Sequence, residues 1–314
     1  MSKEKATIEK HKINFDEVGR LDKYLSVTYP KWSRTRLQKL INSRFVLVDN
    51  HPASPNHMLK IGQMVSVEWP KKPEKKPVSK NLTFPFDIVF EDDELLVVNK
   101  PVGMVVHPSA GHRDGNSLVE LIAPKISDGN WPDDSRPGLV HRLDRDTSGV
   151  IIIARNPESH AHLSKQFAKR TVKKTYLALI HGVMKSNLGT IECFIERDPG
   201  KRQRFAIASS GRWASTKFKI IEKFGDIAST IELYPLTGRT HQLRVQLAGY
   251  GHFILGDHVY GIPERDFKQF TRQMLHARKI EFIHPLTGKA LSLEAPLPED
   301  FQEGIKLLRL SHGD

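Results

Sequence analysis

In the stretch GLVHRLDRDTSG, residues 138–149, two carboxylates and two guanidinium groups fall within five consecutive residues: Arg142, Asp144, Arg145 and Asp146. A carboxylate so placed can act as a nucleophile, a general base or a turn former. The closing Asp146-Thr147-Ser148-Gly149 is the turn with which aspartic proteases present a catalytic carboxylate. Their chemistry requires two carboxylates sharing one proton. Only one copy of the tetrapeptide occurs here, and adjacent arginines favour ionised carboxylates over proton sharing. A protease is therefore set aside. A plain structural turn stays open, because Asp, Thr, Ser and Gly all favour turns.

Two further constellations bear on the chemistry. LYPLTGRTHQLRVQLAGYGHFILGD, residues 233–257, reads as a strand ending at Leu233-Tyr234, a turn containing Gly238 and a helix starting near Thr240. Arg239 then projects from a strand-to-helix corner, where functional side chains commonly sit. A buried arginine there requires a carboxylate partner. In Lys173-Lys174-Thr175-Tyr176, a tyrosine enters a strand beside two lysines, which suits stacking a base and holding its phosphate. For Tyr176 alone a core position is the plainer reading. His160 and His162, one residue apart on a predicted helix, point to different faces, and no cysteine or carboxylate set completes a metal site. There is neither a Walker loop nor a Rossmann glycine fingerprint. No metal and no cofactor are expected.

Elements must hold these residues in place, and 314 residues suffice for two domains. Residues 1–69 are expected to form a small basic module. Leu21, Tyr24 and Leu25 keep helical spacing, as do Leu37, Leu40 and Ile41, with Ser33 as an N-cap. Phe45–Val48 and Met64–Val67 read as strands. Arg34, Arg36 and Lys39 fall off the apolar stripe and should face solvent. Residues 70–83, rich in lysine with three prolines, have linker composition. Residues 84–314 are strand-rich, with strands expected at Phe86–Phe90, Leu95–Asn99, Val150–Ala154, Thr175–Ile180, Thr190–Ile195, Ser215–Ile221, Ser229–Leu233, Ile280–Ile283 and Ala290–Leu293. Helices are expected at Ser117–Ile122, Glu158–Lys169, Thr240–Ala248 and Glu299–Leu310. The fold class is α+β: a mixed, mainly antiparallel sheet with flanking helices, plus a small N-terminal α/β module.

Composition narrows the setting. Hydrophobic residues make up 39% and charged residues 27%, as in ordinary globular proteins. No apolar run would span a bilayer, and MSKEKATIEKHK lacks the apolar core of a signal peptide. The lone Cys193 excludes an internal disulfide framework. A cytoplasmic protein, without a membrane partner, is expected. The net charge of +12 is unevenly spread: residues 1–80 carry 17 basic and 8 acidic side chains, the other 234 carry 31 and 28. A basic excess on a patterned segment suits a polyanion such as nucleic acid.

Taken in order, HRLDRDTSG, KKTY and LTGRTHQLR closely resemble the RluA/RluD family of RNA pseudouridine synthases, and Leu275-His276-Ala277 fits it too. The N-terminal module resembles the alpha-L RNA-binding fold named from a small-subunit ribosomal protein. The likeness runs from about Gly19 to Pro298. Where that module usually carries glycines around its first strand, this chain has Arg44 and Asn50. The resemblance implies an isomerase that converts uridine in RNA to pseudouridine without redox change. Residues 84–314 would be its catalytic domain. It also implies that Asp144 is the catalytic carboxylate, as nucleophile or general base, that Arg239 pairs with it, and that Tyr176 stacks on the flipped uracil. Arg142, Arg145 and Lys174, with Arg34, Arg36 and Lys39 of the module, are the expected RNA contacts. Large-subunit (23S) ribosomal RNA is the expected substrate, transfer RNA the runner-up, and a monomer the expected state. A plain RNA-binding protein would not need Asp144, Arg239 and Tyr176 together. A glycosidase would need two acids in defined roles.

Overall fold

Leu21 and Leu25 lie one helical turn apart, and Leu37, Leu40 and Ile41 repeat that spacing, so each segment coils to bury one face. The computed structural model describes residues 8–14, 19–30, 32, 34–69, 84–108, 116–127, 131–133, 136–201, 204–261 and 269–312. It has these segments as helices α1 (Leu21–Thr28) and α2 (Arg34–Asn42), with all five apolar side chains buried. They pack against Val46, Val48, Val65 and Val67 of a small antiparallel sheet. Its strands are β1 (Ile8–Lys12), β2 (Val46–Val48), β3 (His51–Pro52) and β4 (Met64–Glu68), in the order β1-β4-β2-β3. Strands β1 and β3 were not expected from the sequence. The expected N-cap Ser33 and the linker at 70–83 lie outside the described residues.

The chain divides into two compact units, Met1–Leu82 with Asp128–Pro137, and Thr83–Ser127 with Gly138–Asp314. Within the first, the expected solvent-facing basic residues are engaged. Asp22 is fully buried on α1 and accepts hydrogen bonds from Arg34 (2.7 Å), Arg20 (3.1 Å) and Gln38 (2.7 Å). Burial alone would raise this carboxyl, but these bonds and the two guanidinium charges outweigh it and hold the group far below the usual carboxylate range. Arg36 lies 3.6 Å over the Trp32 ring and donates to the Trp131 carbonyl at 3.0 Å. Lys39 stays exposed, 3.5 Å from Asp133. Arg34 and Lys39 are exposed as the spacing predicts and Arg36 is half-buried, while Arg34 also reaches back to neutralise a buried aspartate. Arg44 and Asn50, which stand in place of glycines, both adopt the left-handed conformation at φ 63°.

In the second unit the sequence alternates less, because several strands are covered on both faces. Every residue of β7 (Ser148–Ala154) is buried, as are five of the six in β6 (Leu95–Lys100). The sheet further comprises β5 (Asp87–Glu91), β8 (Lys173–His181), β9 (Leu188–Arg197), β10 (Phe205–Ala208), β11 (Arg212–Phe224), β12 (Ala228–Pro235), β13 (Leu275–Ile283) and β14 (Ala290–Glu294). Its order is β10-β9-β11-β12-β8-β13-β7-β6-β5, with β14 on β13. Only the β13–β7 pair is parallel among the described strands. The helices are α3 (Leu118–Ile122), α4 (Pro157–Ala168), α5 (Gln242–Gly249) and α6 (Glu299–His312). Strand β10 is the element of this unit absent from the sequence reading. No helix among the described residues is long and apolar enough to cross a membrane.

One cross-strand row organises the centre of the sheet. Leu233 of β12 pairs with Tyr176 of β8, Tyr176 with Ala277 of β13, Ala277 with Gly149 of β7, and Gly149 with Lys100 of β6. The row sets Tyr176 two strands away from the end of the Asp144 loop. Gly149 has φ 113°, and a Cβ there would lie 2.2 Å from the Ala277 carbonyl oxygen. Gly149→Ala combines a disfavoured backbone with a main-chain clash and is expected to cost about 2–5 kcal/mol. Urea denaturation of the full chain measures this.

Candidate active site

The loop of residues 141–147, ahead of β7, is tied down along its length. His141 Nε2 accepts the Ile152 N–H at 2.8 Å. Burial, aided by the Lys174 charge, pulls this imidazole down to about 3, so it serves as a neutral acceptor. Lys100, with no exposed surface, donates to the carbonyls of Pro101 (2.7 Å), Met104 (3.0 Å) and Arg145 (2.8 Å). All three of its donors are used, the last on the residue after Asp144. Burial brings the Lys100 amine down to about 7, against the pull of Asp146 and Asp144.

The protease-like turn is hydrogen-bonded into its surroundings. Thr147 Oγ1 accepts from Gln273 at 3.1 Å, and its N–H closes a turn onto the Asp144 carbonyl at 3.2 Å. Ser148 donates to His276 Nδ1 at 2.9 Å, because His276 Nε2 is committed to the Ala295 carbonyl. Asp146 is paired with Arg145 at 3.0 Å, and half of the Arg145 side chain is exposed.

Asp144 is held by a different arginine from the one expected. Arg244 Nη1 donates to Asp144 Oδ2 at 3.0 Å, while its Nε and Nη2 form a fork onto Asp257 at 2.6 and 2.7 Å. Asp257 in turn accepts the N–H groups of Val259 (3.0 Å) and Tyr260 (3.1 Å). Burial disfavours the charge on Arg244, yet the two aspartates outweigh it and push the guanidinium higher still. Asp257 is driven down by the same contact despite its own burial. Arg239 instead donates from Nε to the Trp213 carbonyl at 3.0 Å. The pairing of Arg239 with Asp144 is therefore corrected to Arg244.

The physical reason lies in α5. Its residues Gln242–Leu247 are all buried. Arg239 stops short of the helix, whereas Arg244 lies inside it and must find carboxylates. QLRVQLAG carries a single charge beside two glutamines, and its local spacing does not by itself say that Arg244 points inward.

His241, at φ 54°, precedes α5 and bonds through Nδ1 to Tyr260 Oη at 2.9 Å. The same hydroxyl accepts the Phe205 N–H at 2.9 Å, so its own proton is free for Nδ1. His241 Nε2 then faces Asp144 at 3.9 Å. Burial lowers this imidazole, opposed by the Asp144 charge. Nothing in the sequence reading singled out His241.

Asp144, Tyr176, Lys174, Arg142, Arg239 and Arg244 line one cavity of about 430 Å³. Burial and the neighbouring Asp144 charge raise the Tyr176 hydroxyl well above its ordinary value. Burial pulls the Lys174 amine down to about 8, and its nearest acceptor is the Thr237 carbonyl at 3.5 Å. The structure thus brings together the three sequence motifs. Arg145 is not among the lining residues, and Arg34, Arg36 and Lys39 belong to the other unit. Among the described residues no group of three or more His, Cys, Asp or Glu side chains is placed to hold a metal ion.

Residues 94–249 match the RNA pseudouridylate synthase family and residues 19–65 the S4 domain. The chain belongs to the RNA pseudouridylate synthase family. It is 39% identical to the RNA pseudouridine synthase YlyB of Bacillus subtilis, over 92% of this chain and 94% of that protein. It is 36% identical to the ribosomal large subunit pseudouridine synthase D of Xanthomonas campestris, over 92% of this chain and 89% of that one. The structure titled Human RNA Pseudouridylate Synthase Domain Containing 1 superimposes with a TM-score of 0.54 at 26% identity, covering 75% of this chain and 98% of that one.

The two arginines are expected to differ sharply. Arg244→Ala leaves the buried Asp257 and the partly buried Asp144 unpaired and should cost about 3–5 kcal/mol, whereas Arg239→Ala loses one bond to a carbonyl, worth about 1 kcal/mol. Urea midpoints of the two variants check the ranking, and equal losses would contradict it.

Proposed function

We propose that this enzyme isomerises specific uridines of large-subunit ribosomal RNA to pseudouridine, with Asp144 as the reacting carboxylate. The observation that supports this most directly is the state of Asp144. Its Oδ2 is taken by Arg244, and among the described residues no donor bonds its Oδ1, while the side chain lines the cavity. One oxygen is held and the other faces the substrate space, as a nucleophile or general base requires. The cavity volume lies within the range of small-ligand pockets, about 300–1,000 Å³, so it admits a single nucleoside and not a stacked duplex. The uridine must therefore leave its stack, at a cost of a few kcal/mol. Tyr176 offers a ring beside Asp144 for the extruded base.

The isomerisation breaks the bond from ribose to ring nitrogen and forms one to ring carbon, with the displaced proton moving to nitrogen. Substrate and product are isomers, so the step has no net redox change and consumes neither oxidant nor reductant. Arg244 fixes the Asp144 carboxylate while the uracil turns. Arg142 and Lys174, both lining the cavity, contact the RNA, with Arg145 on the adjacent surface. The S4 module adds phosphate contacts through Lys39 and its neighbours. The enzyme acts as a monomer in the cytoplasm. The ribosomal target rests on the relatives named ribosomal large subunit pseudouridine synthase D, similar over nearly all of both chains.

Pseudouridine mapping in cells with and without the gene is expected to show sites missing from large-subunit ribosomal RNA; loss confined to transfer RNA would overturn the assignment. On transcribed large-subunit RNA, Asp144→Asn should abolish product and Asp146→Asn should retain turnover. A reversed result would move the chemistry to the protease-like turn.

Tyr176→Phe keeps the ring and should bind RNA as the wild type does. Its turnover tells whether the hydroxyl moves a proton. Tyr176→Ala should weaken capture of the flipped base by about 1–3 kcal/mol, read as KM in the same assay.

A further inference from the structure

Helix α4 ends in a Schellman motif: Thr171 N–H donates to the Gln166 carbonyl and Arg170 N–H to the Phe167 carbonyl, both at 3.1 Å. The residue at the left-handed position of this motif is ordinarily glycine, which has no Cβ to crowd the backbone. Here it is Arg170, at φ 58°. A strained backbone with a long cationic side chain asks what the side chain does. Its guanidinium lies 5.3 Å over the Trp213 ring, and the residue lines the mouth of the Asp144 cavity. The carbonyl of the same tryptophan holds Arg239 Nε at 3.0 Å. Trp213 therefore orients two arginines, one through its ring and one through its backbone. Neither Arg170 nor Arg239 pairs with a carboxylate among the described residues, and nor do their cavity neighbours Arg142 and Lys174. The cavity's own carboxylate, Asp144, is already matched by Arg244.

We propose that Arg170 and Arg239, set by Trp213, form a phosphodiester subsite that anchors the RNA backbone beside the target uridine. This rests on the reading of the cavity as a uridine site. The chemistry agrees: planar guanidinium groups bind phosphate oxygens in a fork, and an extruded nucleotide brings its flanking phosphates to the rim. The subsite also gives Arg239 a task that the pairing of Asp144 with Arg244 leaves open.

The test exploits the strain. Arg170→Gly removes the cation and installs the residue that the motif favours, so thermal stability should be unchanged or raised. On transcribed large-subunit ribosomal RNA, kcat/KM should fall roughly tenfold, as for loss of a charge-assisted bond. The dependence of log kcat/KM on log salt should become shallower by about 0.7, the share of one phosphate contact on a single strand. Arg170→Lys, which keeps the charge without the fork, should restore the slope and only part of the rate. Wild-type kcat/KM and slope in Arg170→Gly would overturn the subsite and leave Arg170 as a helix terminator. Wild-type enzyme that forms no pseudouridine on this RNA would instead sink the underlying reading.

Discussion

A buried guanidinium shared between two carboxylates is the interaction on which the rest of this site depends. Arg244 gives its fork to Asp257 and its remaining Nη1 to Asp144. Asp257 could not keep its charge at such depth without this partner, and the arginine could not be buried without a carboxylate. The arrangement separates two duties. Asp257, satisfied further by two backbone N–H groups, is a structural counter-ion, and Asp144 keeps one oxygen, Oδ1, that no donor bonds among the described residues. A helix with no solvent face follows from this, since α5 must enter the interior to deliver Arg244 to both partners.

The loop that carries Asp144 has no regular structure of its own, and its geometry comes from neighbours that saturate its polar groups. Lys100 grips the Arg145 carbonyl, Gln273 the Thr147 hydroxyl and His276 the Ser148 hydroxyl. Gly149 then lets β7 approach β13 closely enough for the parallel pair to form. The row from Leu233 through Tyr176, Ala277 and Gly149 to Lys100 converts these local contacts into a fixed relation between ring and carboxylate. In the proposed reaction, preorganisation of this kind limits how far these two groups must move.

Charge is divided along similar lines. In the N-terminal unit some of the basic excess is spent inside: Arg34 and Arg20 neutralise Asp22, and Arg36 lies on Trp32. At the cavity the balance is opposite, with Arg142, Arg170, Lys174 and Arg239 unmatched by carboxylates among the described residues. A polyanionic substrate completes a surface of that kind.

Much was legible before any coordinates. Period-two and period-3.6 patterning marked nearly every long strand and helix, because burying one face of an element leaves its spacing in the sequence. The three motifs named Asp144 and Tyr176, which the fold brings into one cavity. Short edge elements such as β1, β3 and β10 were not legible, since strands of two to five residues at a sheet edge carry too little pattern. Nor was the choice between Arg239 and Arg244. Both stand in one motif, five residues apart, and local spacing cannot say which side chain is buried. That was decided by the packing of α5 against the sheet and by Asp257, far from Asp144 in the chain. The sequence by itself determined which residue types meet the RNA chemistry. Only the tertiary structure decided which charges meet each other, because ion pairing acts through space and desolvation depends on every element that closes around the pair.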